Sequence, residues 1–349
     1  MNSRERVLAV LDGQHVDHLP AMPITMMFAA DHVGAQYYDY ATKCAVQVEG
    51  QIRVAEGFDI DYVSAISDPC VEAADLGAAI KFFPDQPPAI DEENALLKDK
   101  AALARLKMPD PHGGGRMTNR VQAVGIMKER AGADKLVEGW VEGPCAEAAD
   151  LRGLNRLMLD FYDDLEFVRQ VMDFVVEMEL RFAKAQIEAG ADVVGIGDAA
   201  ASLISARFYH DLVFSRQKKM VDGIHALGAR VRLHICGDTR HILEGMGRVG
   251  ADIVDLDSLV PLDEARRKMG PEQVLLGNID PVRVLRAGTP ESVRAAIAEC
   301  HRQAGPRYIV GAGCEVVRDT AEENLRALTR YARDAVAQPL LAVQSEQHS

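Results

Sequence analysis

Three side chains in this sequence could together hold a soft metal. Val231-Arg-Leu-His-Ile-Cys-Gly-Asp-Thr239 reads as a buried strand running out into a turn. His234 and Cys236 are two residues apart, which on a strand puts an imidazole and a thiol on one face. A second cysteine, Cys314, closes the apolar run Tyr308-Ile-Val-Gly-Ala-Gly-Cys314. Two sulfurs and one ring nitrogen suit zinc, and three protein ligands leave a fourth position open, as catalytic zinc sites do. A lone His-x-Cys pair more often belongs to a core, because buried cysteine is common and inert. Two features favour the metal here: glycine stands beside both cysteines, and both close a strand. The expectation is one catalytic zinc on His234, Cys236 and Cys314.

Something must bring positions 236 and 314 together. Apolar runs of strand length recur along the chain: His18–Ile24, Phe58–Asp68, Lys135–Pro144, Asp192–Asp198, Val231–Thr239, Asp252–Asp257, Gln273–Asp280 and Tyr308–Cys314. Between them lie helical stretches, among them Ser3–Leu11 with Ser3 as cap, Ala41–Glu56, Arg116–Ala131, one or two helices within Glu147–Ala189, Ser205–Leu227 and Thr320–Val336. Near-continuous apolar strands alternating with helices predict an α/β fold, a single (β/α)8 TIM barrel with N-terminal additions. The barrel domain is expected over 1–338, with a polar tail at 339–349. An open doubly wound sheet would call for a phosphate fingerprint after the first strand, and none is present. Ala79–Phe83 reads as a hairpin arm and Gly113–Gly115 as a hinge or lid.

In such a barrel the strand ends share one mouth, where active sites are built. Asp68, Glu142, Asp198, His234 with Cys236, Asp257, Asn278 with Asp280, and Cys314 all close strands. One polar residue there would be strand termination; seven strands ending this way read as a site. Glu142, Asp198, Asn278 and Asp280 are the candidate orienting or proton-donating groups. Asp68, Ser202 and the Met22–Pro23 step of the first strand are the candidate substrate contacts.

Composition narrows the partners. The 349 residues carry 39 Lys+Arg against 53 Asp+Glu, a net charge of −14, which argues against nucleic acid or an anionic membrane surface. Six cysteines without paired spacing are not a disulfide framework, and the N-terminus resembles no apolar signal. No run approaches a membrane span. A reduced, cytoplasmic protein is expected.

The segments His234-Ile-Cys-Gly237, Leu276-Gly-Asn-Ile-Asp-Pro281 and Gly311-Ala-Gly-Cys-Glu-Val316 together resemble the uroporphyrinogen decarboxylase superfamily. More narrowly they are similar to its zinc-dependent branch, the methylcobamide:coenzyme M methyltransferases and other corrinoid-dependent enzymes. The resemblance spans nearly the whole chain and includes Glu142-Gly-Pro144, Asp198-Ala-Ala-Ala-Ser202 and Glu323-Asn324. It implies methyl transfer to or from a corrinoid (cobalamin) cobalt, with zinc on His234, Cys236 and Cys314. It leaves open the small molecule at the other end: a thiol, tetrahydrofolate, or a methoxy-aromatic or methylamine donor. The decarboxylase branch fits less well. It carries an arginine-rich segment after its first strand, whereas no arginine lies between Arg6 and Arg53 here. Acidic strand ends would also repel a polycarboxylate. The Asp-x-His-x-x-Gly signature of corrinoid-binding proteins is absent. Asp222-Gly-Ile-His-Ala-Leu-Gly228 has one residue too many and sits at a helix end, so the corrinoid is expected on a partner docking at the barrel mouth.

Overall fold

The computed structural model describes residues 1–335. Position 336, the 338 boundary and the 339–349 tail lie outside the described residues. Nine strands follow in chain order: β1 Tyr62–Ser64, β2 Ile80–Lys81, β3 Ala89–Ile90, β4 Leu136–Glu142, β5 Val193–Gly197, β6 Arg230–Ile235, β7 Ile253–Leu256, β8 Val274–Leu276 and β9 Tyr308–Ile309. Seven of them form one parallel sheet in the order β1-β4-β5-β6-β7-β8-β9; β2 and β3 pair as a separate antiparallel hairpin.

The eighth stave is the segment around Ala21, which closes the sheet into a barrel. On one side Ala21 bridges Val310 in parallel, with Met22 N–H donating to the Val310 carbonyl and Val310 N–H to that of Pro20, both at 2.9 Å. On the other side Asp61 N–H donates to the Ala21 carbonyl at 3.0 Å, and Ala21 N–H to Asp61 Oδ2 at 2.7 Å. The expected strand His18–Ile24 thus contributes a single bridge, because Pro20 and Pro23 have no N–H to donate to a ladder. The (β/α)8 barrel expected from the alternation is the architecture observed.

Each barrel strand returns through helices packed outside. The longest, Leu165–Ala189, begins at Asp164, whose side chain accepts from Phe167 N–H, and ends at Gly190 in the left-handed region. Its buried stripe Val168, Val171, Val175, Phe182 packs into the main core. The stretch Glu147–Ala189, expected to hold one or two helices, falls within three: Pro144–Arg152, Leu154–Asp163 and Leu165–Ala189. The first helix is capped by Asn2 rather than Ser3, in a reciprocal pair with Glu5. The Gly113–Gly115 loop leads into the helix Arg116–Ala131, where Asp75 accepts from the N–H groups of Arg116 and Met117 at 2.7 and 2.9 Å. These bonds hold that helix start in place. Among the described residues no helix is long and apolar enough to cross a membrane.

Inside the barrel, below the mouth, lies a charged layer. Arg232 is fully buried and donates to Asp255 Oδ2 at 2.6 Å and to Glu138 at 3.3 Å. This layer supports the site above it.

Candidate metal centre

Period 2 along β6 points Arg232, His234 and Cys236 inward in succession. Register sets their neighbours: His234 stands beside Gly197 of β5 and Asp255 of β7. Cys314 arrives from the other side of the barrel, on the turn after β9. Gly313 N–H donates to the Ile279 carbonyl at 2.9 Å, and a Cβ at Gly313 would strike the backbone of Ser258, so only glycine lets this turn close over the loop after β7.

The three donors meet. His234 Nε2 is 2.9 Å from Cys236 Sγ, and the two sulfurs are 3.6 Å apart. One donor atom from each residue lies within 4.8 Å of the others, the one such group of three or more His, Cys, Asp or Glu among the described residues. Two sulfurs on one tetrahedral zinc stand about 3.8 Å apart at the usual bond length, close to the observed spacing. His234 is buried, while both cysteines are half-buried and face a cavity of about 160 Å³. The donor set therefore fits zinc with its fourth position toward the cavity.

Support comes from below. His234 Nδ1 is 2.9 Å from Asp255 Oδ2, the oxygen that Arg232 holds. The approach is off-axis, so the distance rather than a formed hydrogen bond carries the pairing. A proton on Nδ1 leaves Nε2 for a metal, the usual carboxylate–histidine arrangement. Burial alone would lower the imidazole, but Asp255 and the Cys236 sulfur raise it well above its ordinary value. The neighbouring Cys236 sulfur, with His234 adding to the effect, lowers the Cys314 thiol against burial. Asp257 fixes the loop after Cys236 by accepting from Gly237 N–H at 2.8 Å and Leu259 N–H at 2.9 Å.

The cavity gathers some of the other candidates and not the rest. Glu142 and Asp68 line it. Burial, reinforced by Glu72, raises Glu142 well above the usual carboxyl range, and its Oε1 accepts from Trp140 Nε1 at 3.1 Å. Asp68 is bound at both oxygens by Arg116, at 2.6 and 2.8 Å. Asp198 lines the wall, but its carboxylate is engaged elsewhere. It accepts from Cys145 and Ala146 N–H at 3.0 and 2.7 Å and from Gln217 at 2.7 Å, and burial raises it to about 6 against those bonds. It thus caps the helix that starts at Pro144. A Cβ at Gly143 would collide with Asp198, which explains the glycine of Glu142-Gly-Pro144.

Asn278 and Asp280 do not line the cavity. The Asn278 amide donates to the carbonyls of Asp257 and Val260 at 2.8 and 2.6 Å, and Asp280 accepts from Val282 and Arg283 N–H, both at 2.8 Å. Both order loops at the mouth. Ser202 donates to the Ala199 carbonyl at 2.9 Å and abuts Gly237. From the first strand Ile24 reaches the cavity, joined by Met26 at the start of the helix Met26–His32; Met22 is buried and Pro23 accepts from the Tyr62 hydroxyl at 2.9 Å.

Three groups escaped the sequence reading. Asp255 pairs with His234, and its signal was an aspartate inside an apolar strand. Glu315 follows Cys314; burial raises it to about 7 while Met27 N–H opposes at 2.6 Å. Behind Glu142 lie Glu72, Glu147 and Glu179, all buried.

The sequence matches the profile of the uroporphyrinogen decarboxylase (URO-D) family over residues 2–335. The chain belongs to that family. Within it, the chain is 29% identical over 339 residues to a methylcobamide:CoM methyltransferase of Methanosarcina mazei, covering 95% of this chain and 97% of that protein. A uroporphyrinogen decarboxylase of Streptomyces griseus is 30% identical over 287 residues, covering 80% of this chain and 76% of that protein. A solved methyltransferase from Methanosarcina mazei superposes with a TM-score of 0.87 at 24% identity, covering 96% of this chain and 98% of that one, and shares the fold.

Proposed function

We propose that this member of the URO-D family is a zinc-dependent methyltransferase that moves a methyl group between a corrinoid cobalt and a small thiol. The observation that carries this reading is the convergence of His234, Cys236 and Cys314 on one cavity. The near full-length similarity to a methylcobamide:CoM methyltransferase supports it. Zinc on these three residues would bind the acceptor sulfur and keep it a thiolate at neutral pH.

The chain's own residues do the rest. Asp255, steadied by Arg232, turns His234 so that Nε2 faces the two cysteines. Ile24, Ile66 and Trp140 form an apolar wall that keeps water from the sulfur. Glu142, its carboxyl raised well above the usual range by burial, offers that wall a hydrogen-bonding group. A porphyrinogen fits this cavity poorly, because no lysine or arginine lines it to meet the carboxylates.

A cavity of about 160 Å³ is below the usual range for even drug-sized ligands, so a corrin ring cannot enter. The cobalt is therefore met at the mouth of the cavity, and a separate corrinoid protein is its proposed carrier. Exposed Leu203, Leu259 and Val282, on the segments after β5, β7 and β8, give the rim apolar surface for that partner. A cytoplasmic setting fits free thiols and a corrinoid partner.

The test is metal content in protein purified reduced, beside Cys314→Ser. About one zinc per chain, lost in the variant, is expected of a three-ligand site. The zinc protein should then demethylate methylcobalamin in the presence of a thiol. Zinc fully retained by Cys314→Ser, or no zinc taken up by either protein when supplied, would sink the assignment.

A further inference from the structure

The charge of the cavity restricts what can be methylated in it. Four carboxyl side chains line it, Asp68, Glu142, Asp198 and Glu315, and no lysine or arginine does. Arg116, which holds the lining residue Asp68, is already used: both its Nη atoms bind Asp68, and Nη2 also donates to the Ala41 carbonyl at 3.0 Å. His234 is committed to the sulfurs and Asp255. The remaining wall is apolar.

We infer that the second substrate is a small thiol whose far end is uncharged or cationic, and that sulfonates, carboxylates and phosphates are disfavoured there. This rests on the proposed methyl transfer and specifies its acceptor. A two-carbon thiol bound through sulfur at the His234–Cys236–Cys314 corner keeps its far end inside the cavity. An anionic end would give up hydration and meet no lysine or arginine on the cavity lining. A neutral end loses little. An ammonium end meets carboxyls able to ionise and the Trp140 ring, a favourable surface for a cation.

Three thiols of equal length test this: 2-mercaptoethanesulfonate, 2-mercaptoethanol and 2-aminoethanethiol. Each is titrated into protein loaded with cobalt(II) in place of zinc, and thiolate binding is read from the cobalt absorption bands. Methyl transfer from methylcobalamin is measured in parallel on the zinc protein, with each thiol corrected for its own ionisation. The sulfonate should be weakest in both assays by about tenfold or more, the effect of roughly one unfavourable buried charge interaction. Met26→Lys, which adds a cation at the half-buried edge of the cavity, should bring the sulfonate level with or ahead of 2-mercaptoethanol. A sulfonate that binds as well as either other thiol to the unsubstituted protein overturns the inference, as does failure of all three to perturb the cobalt bands. Selective binding without methyl transfer leaves the inference standing and overturns the proposed reaction.

Discussion

At the residue scale the candidate site depends on a chain of contacts that runs down from the His234–Cys236–Cys314 corner: His234, Asp255, Arg232, Glu138. Each link sits in low dielectric, so each charge needs its neighbour. Asp255→Asn keeps the shape but weakens the hold on His234 and on Arg232. Zinc affinity, measured by competition with a chromophoric chelator, is expected to fall about tenfold to a hundredfold. Asp255→Ala goes further and strands a buried guanidinium. Urea unfolding of the metal-free variant should show a loss of about 3–5 kcal/mol, whereas a loss under about 1 kcal/mol would mean the layer is not a stabilising ion pair. His234 and Cys236 could be paired in the sequence because period 2 is a local property. Asp255 could not be matched to His234, since that pairing depends on which strand lies beside β6 and in what register.

At the scale of elements, the loops after the strands are ordered by carboxylates that resemble catalytic groups in the sequence. Asp198 holds the helix Pro144–Arg152, Asp257 the loop after Cys236, and Asp280 the segment that follows it. A strand-end aspartate can face a substrate or cap a helix, and sequence spacing is the same for both. For Asp198 the capping role gives a specific expectation. Asp198→Ala leaves the N–H groups of Cys145 and Ala146 and the Gln217 amide without their acceptor, at a cost of about 2–3 kcal/mol in unfolding free energy. Asp198→Asn, with one acceptor oxygen left, should lose less. Equal losses for the two variants would argue that the carboxylate charge, not the cap, is what matters.

Across the whole molecule the main electrostatic feature is the set of buried carboxyls behind the mouth. Glu72, Glu142, Glu147 and Glu179 come from three helices and a strand, and no lysine or arginine is among the principal influences on any of them. Burial raises Glu72 to about 7 and the other three well above the usual range, each further raised by its acidic neighbours; Asp68 and Asp150 add to the repulsion. The folded chain therefore keeps protons that the unfolded chain gives up above about pH 4, and stability falls as pH rises from there through 7. Metal-free protein should melt at a higher temperature at pH 6 than at pH 8, and Glu179→Gln should narrow that difference. An unfolding temperature that climbs from pH 6 to pH 8 would rule out a protonated cluster.

The sequence alone pointed to the architecture and to the meeting of His234, Cys236 and Cys314. Apolar runs alternating with helical segments have few ways to pack other than a barrel, and a barrel sends the ends of β6 and β9 to one mouth. Two residues at period 2 and a cysteine at another strand end could thus be joined across 78 positions, Cys236 to Cys314. Tertiary structure decided which polar residues face the cavity and which tie loops. It also decided that Asp255 stands under His234, that Arg116 is taken by Asp68, and that the cavity is small and lined by no lysine or arginine. Those outcomes depend on register between strands and on competition for hydrogen-bond partners, both set by residues far apart in the chain.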